Sequence, residues 1–268
     1  MDTMHLQSIS NVNFNNKRVF LRCDLNVPFF NSKVLLDDSR LQNIVKTVQF
    51  LLSQNAKVIL ASHFGRPNKR YDVKLSLRAL IPYLLKYLQT NILFIEDLLS
   101  QDSLTYSNNL TNPKIVLLEN LRFYPGEEEN NYDFAQKLSQ YADIYINDAF
   151  SCCHRKHASI DSITQFLPSY AGFSLIKELD NLRGIVSTSA KPQSLIIGGK
   201  KISTKIKVLG NLVNKVEKIF IAGAMANTFL KALGYEIGTS FYENSYLEDA
   251  KNIYKKNQSK IILPNDFV

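Results

Sequence analysis

The chain has 268 residues, 45% hydrophobic and 21% charged, the proportions of a globular protein with a substantial core and room for two domains. Its net charge is +8, but the lysines are spread evenly with no run of like charge, which argues against an interaction tail or a nucleic-acid groove. Three irregularly spaced cysteines (Cys23, Cys152, Cys153) exclude a disulfide framework, and no signal peptide or membrane-spanning run is visible, so the expectation is a cytoplasmic protein with no membrane partner.

Short β-rich runs alternate with amphipathic stretches. Residues 18–26, 57–64, 91–97, 114–123 and 143–150 read as buried strands. Between the first two, Asp38 or Ser39 can cap a helix whose apolar residues Leu41, Ile44, Val45, Val48, Leu51 and Leu52 share one face. Residues 76–88 repeat the pattern, and a helix is expected over 172–186, followed by a polar stretch at 187–193. A second series then begins: strand 194–199, helix 203–216, strand 218–225, a helix from Ala226, a strand near 236–240, a helix near 245–256 and a strand at 260–268. Strand–helix–strand alternation implies an α/β fold of parallel, doubly wound sheets. The boundaries expected are a first domain over 1–171, a connecting helix and linker over 172–190, and a partial second domain over 191–268, because the last strand has no helix after it.

Ligands of doubly wound sheets bind at the carboxyl ends of the strands. Those ends carry Arg22, Asp24 and Asn26 on the first strand, with Arg40 at the start of the following helix. His63 and Arg66 end the second strand, Arg122 the fourth, and His154 and Arg155 the fifth. Five of the nine arginines therefore converge on one edge. Arginine pairs bidentately with phosphate and carboxylate, so this edge reads as an anion site.

The stretch 147–159, NDAFSCCHRKHAS, offers ligands for a metal, a thiolate nucleophile or an anion cradle. It lacks the C-x-x-C spacing of a zinc site, and no base is placed to activate a thiol. No metal-binding residue is therefore assigned. The simplest reading makes Cys152 and Cys153 small fillers beneath a basic loop, with His157 structural.

Seven segments, in order, resemble the phosphoglycerate kinase family: RCDLNVP, SHFGRP, LLENLRFYPGEEEN, NDAFSCCHRKHAS, GFSLIKEL, IIGGKKISTKI and IAGAMANTFL. The resemblance implies two doubly wound domains joined by a helix, closing by hinge-bending, with the acyl-phosphate substrate on the first and ATP or ADP with Mg²⁺ on the second. It assigns Asp24, Asn26, Arg40, His63, Arg66, Arg122 and Arg155 to 3-phosphoglycerate or 1,3-bisphosphoglycerate, with Arg22 and His154 in the same patch. Gly199, Lys201, Lys205 and Gly223 fall to the nucleotide, and Arg40 and Lys201 to charge on the transferring group. The partners implied are these small molecules, acting on a monomer in glycolysis. Cys152 and Cys153 depart from the family's small or hydroxyl residues, and Ala222 and Ala224 from its glycines, which should crowd the nucleotide slightly. About the last third of the family's length has no counterpart, and with it goes the Asp associated with Mg²⁺. Weak catalysis, or a non-catalytic chain whose first domain binds 3-phosphoglycerate, is expected from that gap.

Overall fold

The computed structural model describes residues 7–30, 34–109, 111–112, 114–186 and 193–266. The polar stretch expected from 187 lies outside them except for Gln193, as do the last two residues of the strand expected over 260–268. The chain divides into two compact units, Met1–Leu179 and Asp180–Val268.

The first unit opens with strand β1 (Arg18–Arg22), a small antiparallel pair, β2 (Phe29–Phe30) and β3 (Val34–Leu35), and helix α1 (Ser39–Ser53). Then come β4 (Lys57–Ala61), α2 (Ile81–Leu88), β5 (Ile92–Ile95), α3 (Gln101–Asn109) and β6 (Ile115–Leu118). The unit continues through α4 (Pro125–Glu128), α5 (Tyr132–Ser139), β7 (Ile144–Asn147) and β8 (Ser169–Ala171). Helix α6 (Phe173–Val186) crosses the boundary between the units.

Six parallel strands pair in the order β5-β6-β4-β1-β7-β8. The sheet is covered on both faces, which is why its strands are continuous apolar runs instead of alternating ones. Val19, Leu21, Val58 and Leu60 pack with Leu41, Ile44, Val48 and Leu51 of α1 on one side. Phe20, Ile59, Val116 and Tyr145 pack with Phe134, Ala135 and Leu138 of α5 on the other. From β1 the chain crosses first to β4, whereas β7 lies on the opposite flank of β1. The switch point of the winding thus falls between β1 and β7, and their carboxyl ends frame a crevice.

Several local expectations change. Strand β8 was not foreseen, since only Ala171 of its three residues is buried. Asp38 is the N-cap residue of α1, but its carboxylate accepts from Gln42 and the Tyr87 hydroxyl; Asp37 takes the Ser39 N–H at 2.8 Å instead. The helix expected over 76–88 opens as a 3₁₀ turn, Leu77–Leu80, and is α-helical only from Ile81, with Pro82 in the first turn where no amide is needed.

The second unit holds β9 (Ser194–Gly198), α7 (Ile206–Leu212), β10 (Lys218–Ala222), α8 (Met225–Ala232), α9 (Leu247–Lys256) and β11 (Ile261–Ile262). Its strands form a parallel sheet in the order β11-β10-β9. The strand expected near 236–240 is absent: the segment turns at Gly238, whose φ of 57° is incompatible with extended backbone. The helix expected over 203–216 is shortened to α7, preceded by a 3₁₀ turn at Ile202–Thr204.

Candidate functional site

The loop after β1 is pinned by neighbours from other strand ends. Ser62 Oγ accepts the Leu25 N–H at 2.9 Å, and Asn26 Oδ1 accepts the Gly65 N–H at 2.8 Å. Gly65, at φ 61°, turns the loop after β4 so that Arg66 stands exposed beyond it. Asn120 clamps the same loop, accepting from Phe64 N at 3.1 Å and donating to Phe64 O at 2.7 Å.

Three arginines then meet. Arg66, Arg122 and Arg155 line a cavity of about 350 Å³ together with Asn68, Glu128 and His157. Arg122 is only 4% exposed; its Nη1 donates to Gly65 O at 2.7 Å, while its Nε lies 3.2 Å from Glu128 Oε1 without an aligned hydrogen bond. His154 is exposed, and its Nε2 accepts from Arg155 Nε at 3.3 Å.

Arg40 stands at a neighbouring cavity of about 190 Å³, lined also by Asp24, Asp148, Ser151, Ser174 and Glu178. Its Nη1 donates to both Asp24 oxygens at 2.8 and 2.7 Å, and Asp24 also accepts from Ser151 Oγ at 2.5 Å. Asp148 accepts from Thr47 of α1 and from the Leu175 N–H at the start of α6, so it ties both helices to the end of β7.

Two of the expected basic residues do not face solvent. Arg22 is 1% exposed, and its guanidinium is engaged within the protein, donating to Ser159 Oγ at 2.8 Å and Cys23 O at 2.5 Å. Its Nη2 lies 3.3 Å from His63 Nδ1. The expectation that Arg22 lines the basic patch is therefore corrected: β1 is the central strand, and its last side chain points into the covered side of the sheet. His63 is 4% exposed, and burial, followed by the charges of Arg22, Arg155, His157 and Arg40, pushes its pKa down to about 2. It is a neutral ring at working pH.

An acid lies beneath this cluster that sequence reasoning missed. Glu127, fully buried, accepts from Ser159 N at 3.0 Å and Ser159 Oγ at 2.6 Å, and lies 3.6 Å from His157 Nδ1. Burial by itself would raise its carboxyl; His157, Arg22 and Ser159 outweigh that and hold it below the usual range. The charge of Arg22 is thus balanced through Ser159. Run together as GEEEN in the sequence, Glu127 is indistinguishable from its exposed neighbours; only burial separates it. Cys152 is 2% exposed and packs with Ala149 and Ile160, as a filler should, whereas Cys153 is exposed and so is not beneath the loop.

In the second unit a cavity of about 690 Å³ opens at the carboxyl ends of β10 and β11. Ala222, Gly223, Ala224, Asn227, Glu236, Pro264 and Asp266 line it. Gly223 has φ 66°, and a Cβ there would lie 3.0 Å from Gly199 O and 3.1 Å from Gly199 N, so the two backbones meet and leave no room for a side chain at Gly223. Lys201 and Lys205 flank the 3₁₀ turn after Gly199 but do not line this cavity. That turn is held by Glu243, which accepts from Ser203 N at 2.9 Å and Ser203 Oγ at 2.7 Å. Asn227, Glu236, Pro264 and Asp266 escaped the sequence reading, although Pro264 and Asp266 follow a strand end, where the same rule that found the arginines applies. Among the described residues, no group of three or more His, Cys, Asp or Glu could hold a metal ion.

Residues 9–268 match the phosphoglycerate kinase family. The chain belongs to that family. A phosphoglycerate kinase of Wolbachia sp. subsp. Drosophila simulans (strain wRi) is 46% identical over 266 residues, covering 98% of this chain and 66% of its own length. One from a Nitratiruptor species is 43% identical over 272 residues, covering 99% and 68%. Among solved structures, phosphoglycerate kinase from Coxiella burnetii superposes with a TM-score of 0.81 at 36% identity, over 97% of this chain and 66% of that one. The Pyrococcus horikoshii OT3 enzyme gives 0.85 at 27% identity, over 98% and 68%. The chain therefore spans about two thirds of the length of the phosphoglycerate kinases it matches.

Proposed function

We propose that the first unit binds 3-phosphoglycerate or 1,3-bisphosphoglycerate and the second an adenine nucleotide, for reversible phosphoryl transfer in glycolysis. The observation that carries this reading is the convergence of Arg66, Arg122 and Arg155 on one cavity. Three guanidinium groups there favour a phosphate, and Glu128 keeps Arg122 oriented while the cavity is free. Asp24 and Asn26 order the strand-end loops; Arg22 and neutral His63 support the site from beneath; His154 stands beside Arg155 at its rim.

In the ATP-consuming direction, a carboxylate oxygen of 3-phosphoglycerate attacks the γ-phosphorus and ADP leaves with the bridging oxygen. The nucleophile is already ionised, so no general base is required. What remains is positioning and the stabilisation of charge on the moving group, for which Arg40 and Lys201 are the assigned residues. Gly223 lines the second unit's cavity at φ 66° with the Gly199 backbone packed against it, so a nucleotide can approach bare backbone there, and Lys205 supplies a further cation. The family uses Mg²⁺ with its nucleotide, an ion that is held mainly by phosphate oxygens and water with one or two carboxylates and would neutralise charge on the phosphates when bound. The reading includes a cytoplasmic monomer; no described helix is long and apolar enough to cross a membrane.

A second reading is binding of 3-phosphoglycerate without turnover, which the cavity of Arg66, Arg122 and Arg155 in the first unit supports by itself. Calorimetry with 3-phosphoglycerate tests the shared core of both: Arg66→Ala and Arg155→Ala should each weaken binding by about 1–3 kcal/mol. Unchanged affinity in both variants would remove the cavity from the function. A coupled kinase assay separates the two readings, since binding without turnover supports the second.

A further inference from the structure

Helix α4 is a single turn, yet its acids reach three separate segments of the anion site. Glu127 accepts from Ser159, in the segment that carries Arg155, at 3.0 and 2.6 Å. Glu128 lies 3.2 Å from Arg122 Nε. Glu129, the C-cap residue, accepts from Lys69 Nζ at 2.5 Å, in the segment that carries Arg66. The run of acids thus touches the segment of each arginine that lines the cavity. The first two contacts balance and orient buried guanidinium groups. The third does neither, since Lys69 does not line the cavity and both partners are exposed. The backbone of the Arg66 segment supplies its purpose. Pro67 is buried, and the Arg70 N–H donates to Pro67 O at 3.2 Å, closing a tight turn over Asn68 and Lys69. Both central residues are left-handed, at φ 52° and 59°. A turn of this kind favours Asn followed by Gly. Asn68 meets the first requirement, but Lys69 carries a Cβ and does not meet the second. The turn is disfavoured by its own sequence, so a contact from outside has to hold it.

We propose that Lys69 and Glu129 are positioning residues of the anion site. Their ion pair clasps the turn over 67–70, and with it Arg66 and Asn68 on the cavity wall. The inference rests on the binding of 3-phosphoglycerate at this cavity and adds to it a pair of residues that the ligand does not touch. An exposed ion pair stabilises little by itself. Here it opposes a backbone preference of similar size, so its presence decides how often the turn is formed. The sign of one substitution separates this role from simple electrostatics. An acid near a phosphate site repels the ligand, so by charge alone the loss of Glu129 would tighten binding. A clasp requires the opposite: without Glu129 the turn opens, Arg66 loses its place on the wall, and binding weakens.

The test compares variants of the purified 268-residue chain by calorimetry with 3-phosphoglycerate and by the solvent exchange of the Arg70 amide, read by NMR. Glu129→Gln and Lys69→Ala should each weaken binding about two- to fivefold and speed Arg70 exchange by a similar factor, the contribution of one exposed ion pair. Lys69→Gly also loses the pair, but glycine takes the left-handed conformation unaided, so its affinity and exchange should stay within about twofold of wild type. The double variant Lys69→Glu/Glu129→Lys restores the attraction with its sign reversed and should recover both readouts. Tighter binding by Glu129→Gln would overturn the proposal. So would a Lys69→Gly chain as weak as Lys69→Ala, a swapped pair that recovers neither readout, or Arg70 exchange indifferent to the loss of the pair. Arg70 exchange needs no ligand, which keeps the two readings apart. Unchanged affinities beside normal wild-type binding would remove the positioning role alone, whereas a wild-type chain that binds no 3-phosphoglycerate would overturn the functional reading and the positioning role together.

Discussion

Replacing His63 with Gln should flatten the acid sensitivity of the first unit. The ring is 4% exposed, with Arg22 Nη2 at 3.3 Å and Cys152 Sγ at 3.8 Å from Nδ1, and its pKa is pushed from 6.5 down to about 2. In the unfolded chain the imidazole keeps its ordinary value and takes up a proton below it. Between those two values the unfolded state binds one more proton than the folded state, so stability falls as pH falls. The slope is about 1.4 kcal/mol per pH unit, and the two units between 6.5 and about 4.5 cost about 2.7 kcal/mol. Gln keeps a neutral acceptor for Arg22 but cannot titrate. Its substitution adds a constant offset while removing the slope. Amide exchange of β1 and β4, corrected for intrinsic rates, reads the first unit alone at a series of pH values. The difference between wild type and His63→Gln should be flat above about pH 7 and should shift by about 2.7 kcal/mol, against the wild type, by about pH 4.5. Parallel profiles would mean that His63 is protonated in the folded protein, and the neutral-ring account of the site would fall.

Two glycines offer further checks. A Cβ on Gly172 would overlap Asp148 Oδ1, the oxygen that accepts the Leu175 N–H, so Gly172→Ala should destabilise the first unit by about 2–4 kcal/mol through overpacking and loss of that cap. Denaturant unfolding measures it; a change within experimental error would show that Asp148 can move without cost. Gly223→Ala should weaken ATP or ADP binding at least severalfold, because the residue is at φ 66° and its Cβ would meet the Gly199 backbone at 3.0 Å, while 3-phosphoglycerate binding stays as it was. Calorimetry with both ligands decides; equal loss of both would point to general unfolding.

The strand–helix alternation was legible because a buried parallel strand is a short apolar run and a covering helix has a period of 3.6 residues; both signals are local. The basic strand ends were legible for a related reason. Wherever a parallel strand stops, its next few residues stand on the ligand-binding edge, so Arg66, Arg122 and Arg155 could be placed from their position after strands alone. The short elements failed: β8 has one buried residue, and 236–240 has strand-like composition but a glycine that turns.

Local pattern could not say which arginines share a cavity. That follows from the strand order β5-β6-β4-β1-β7-β8, which makes β1 central and sends Arg22 inward while Arg66 and Arg155 stay outside. Nor could it separate Glu127 from Glu128, adjacent acids of which one is buried against Ser159 and the other faces Arg122. Lys69 and Glu129 pair across 60 positions of the chain, so their contact too depends on the fold. The sequence by itself determined the kinds of element and the chemistry at their ends, since these depend on neighbours along the chain. Burial, charge balance and exposure were decided by the tertiary structure, because each depends on what the fold brings alongside.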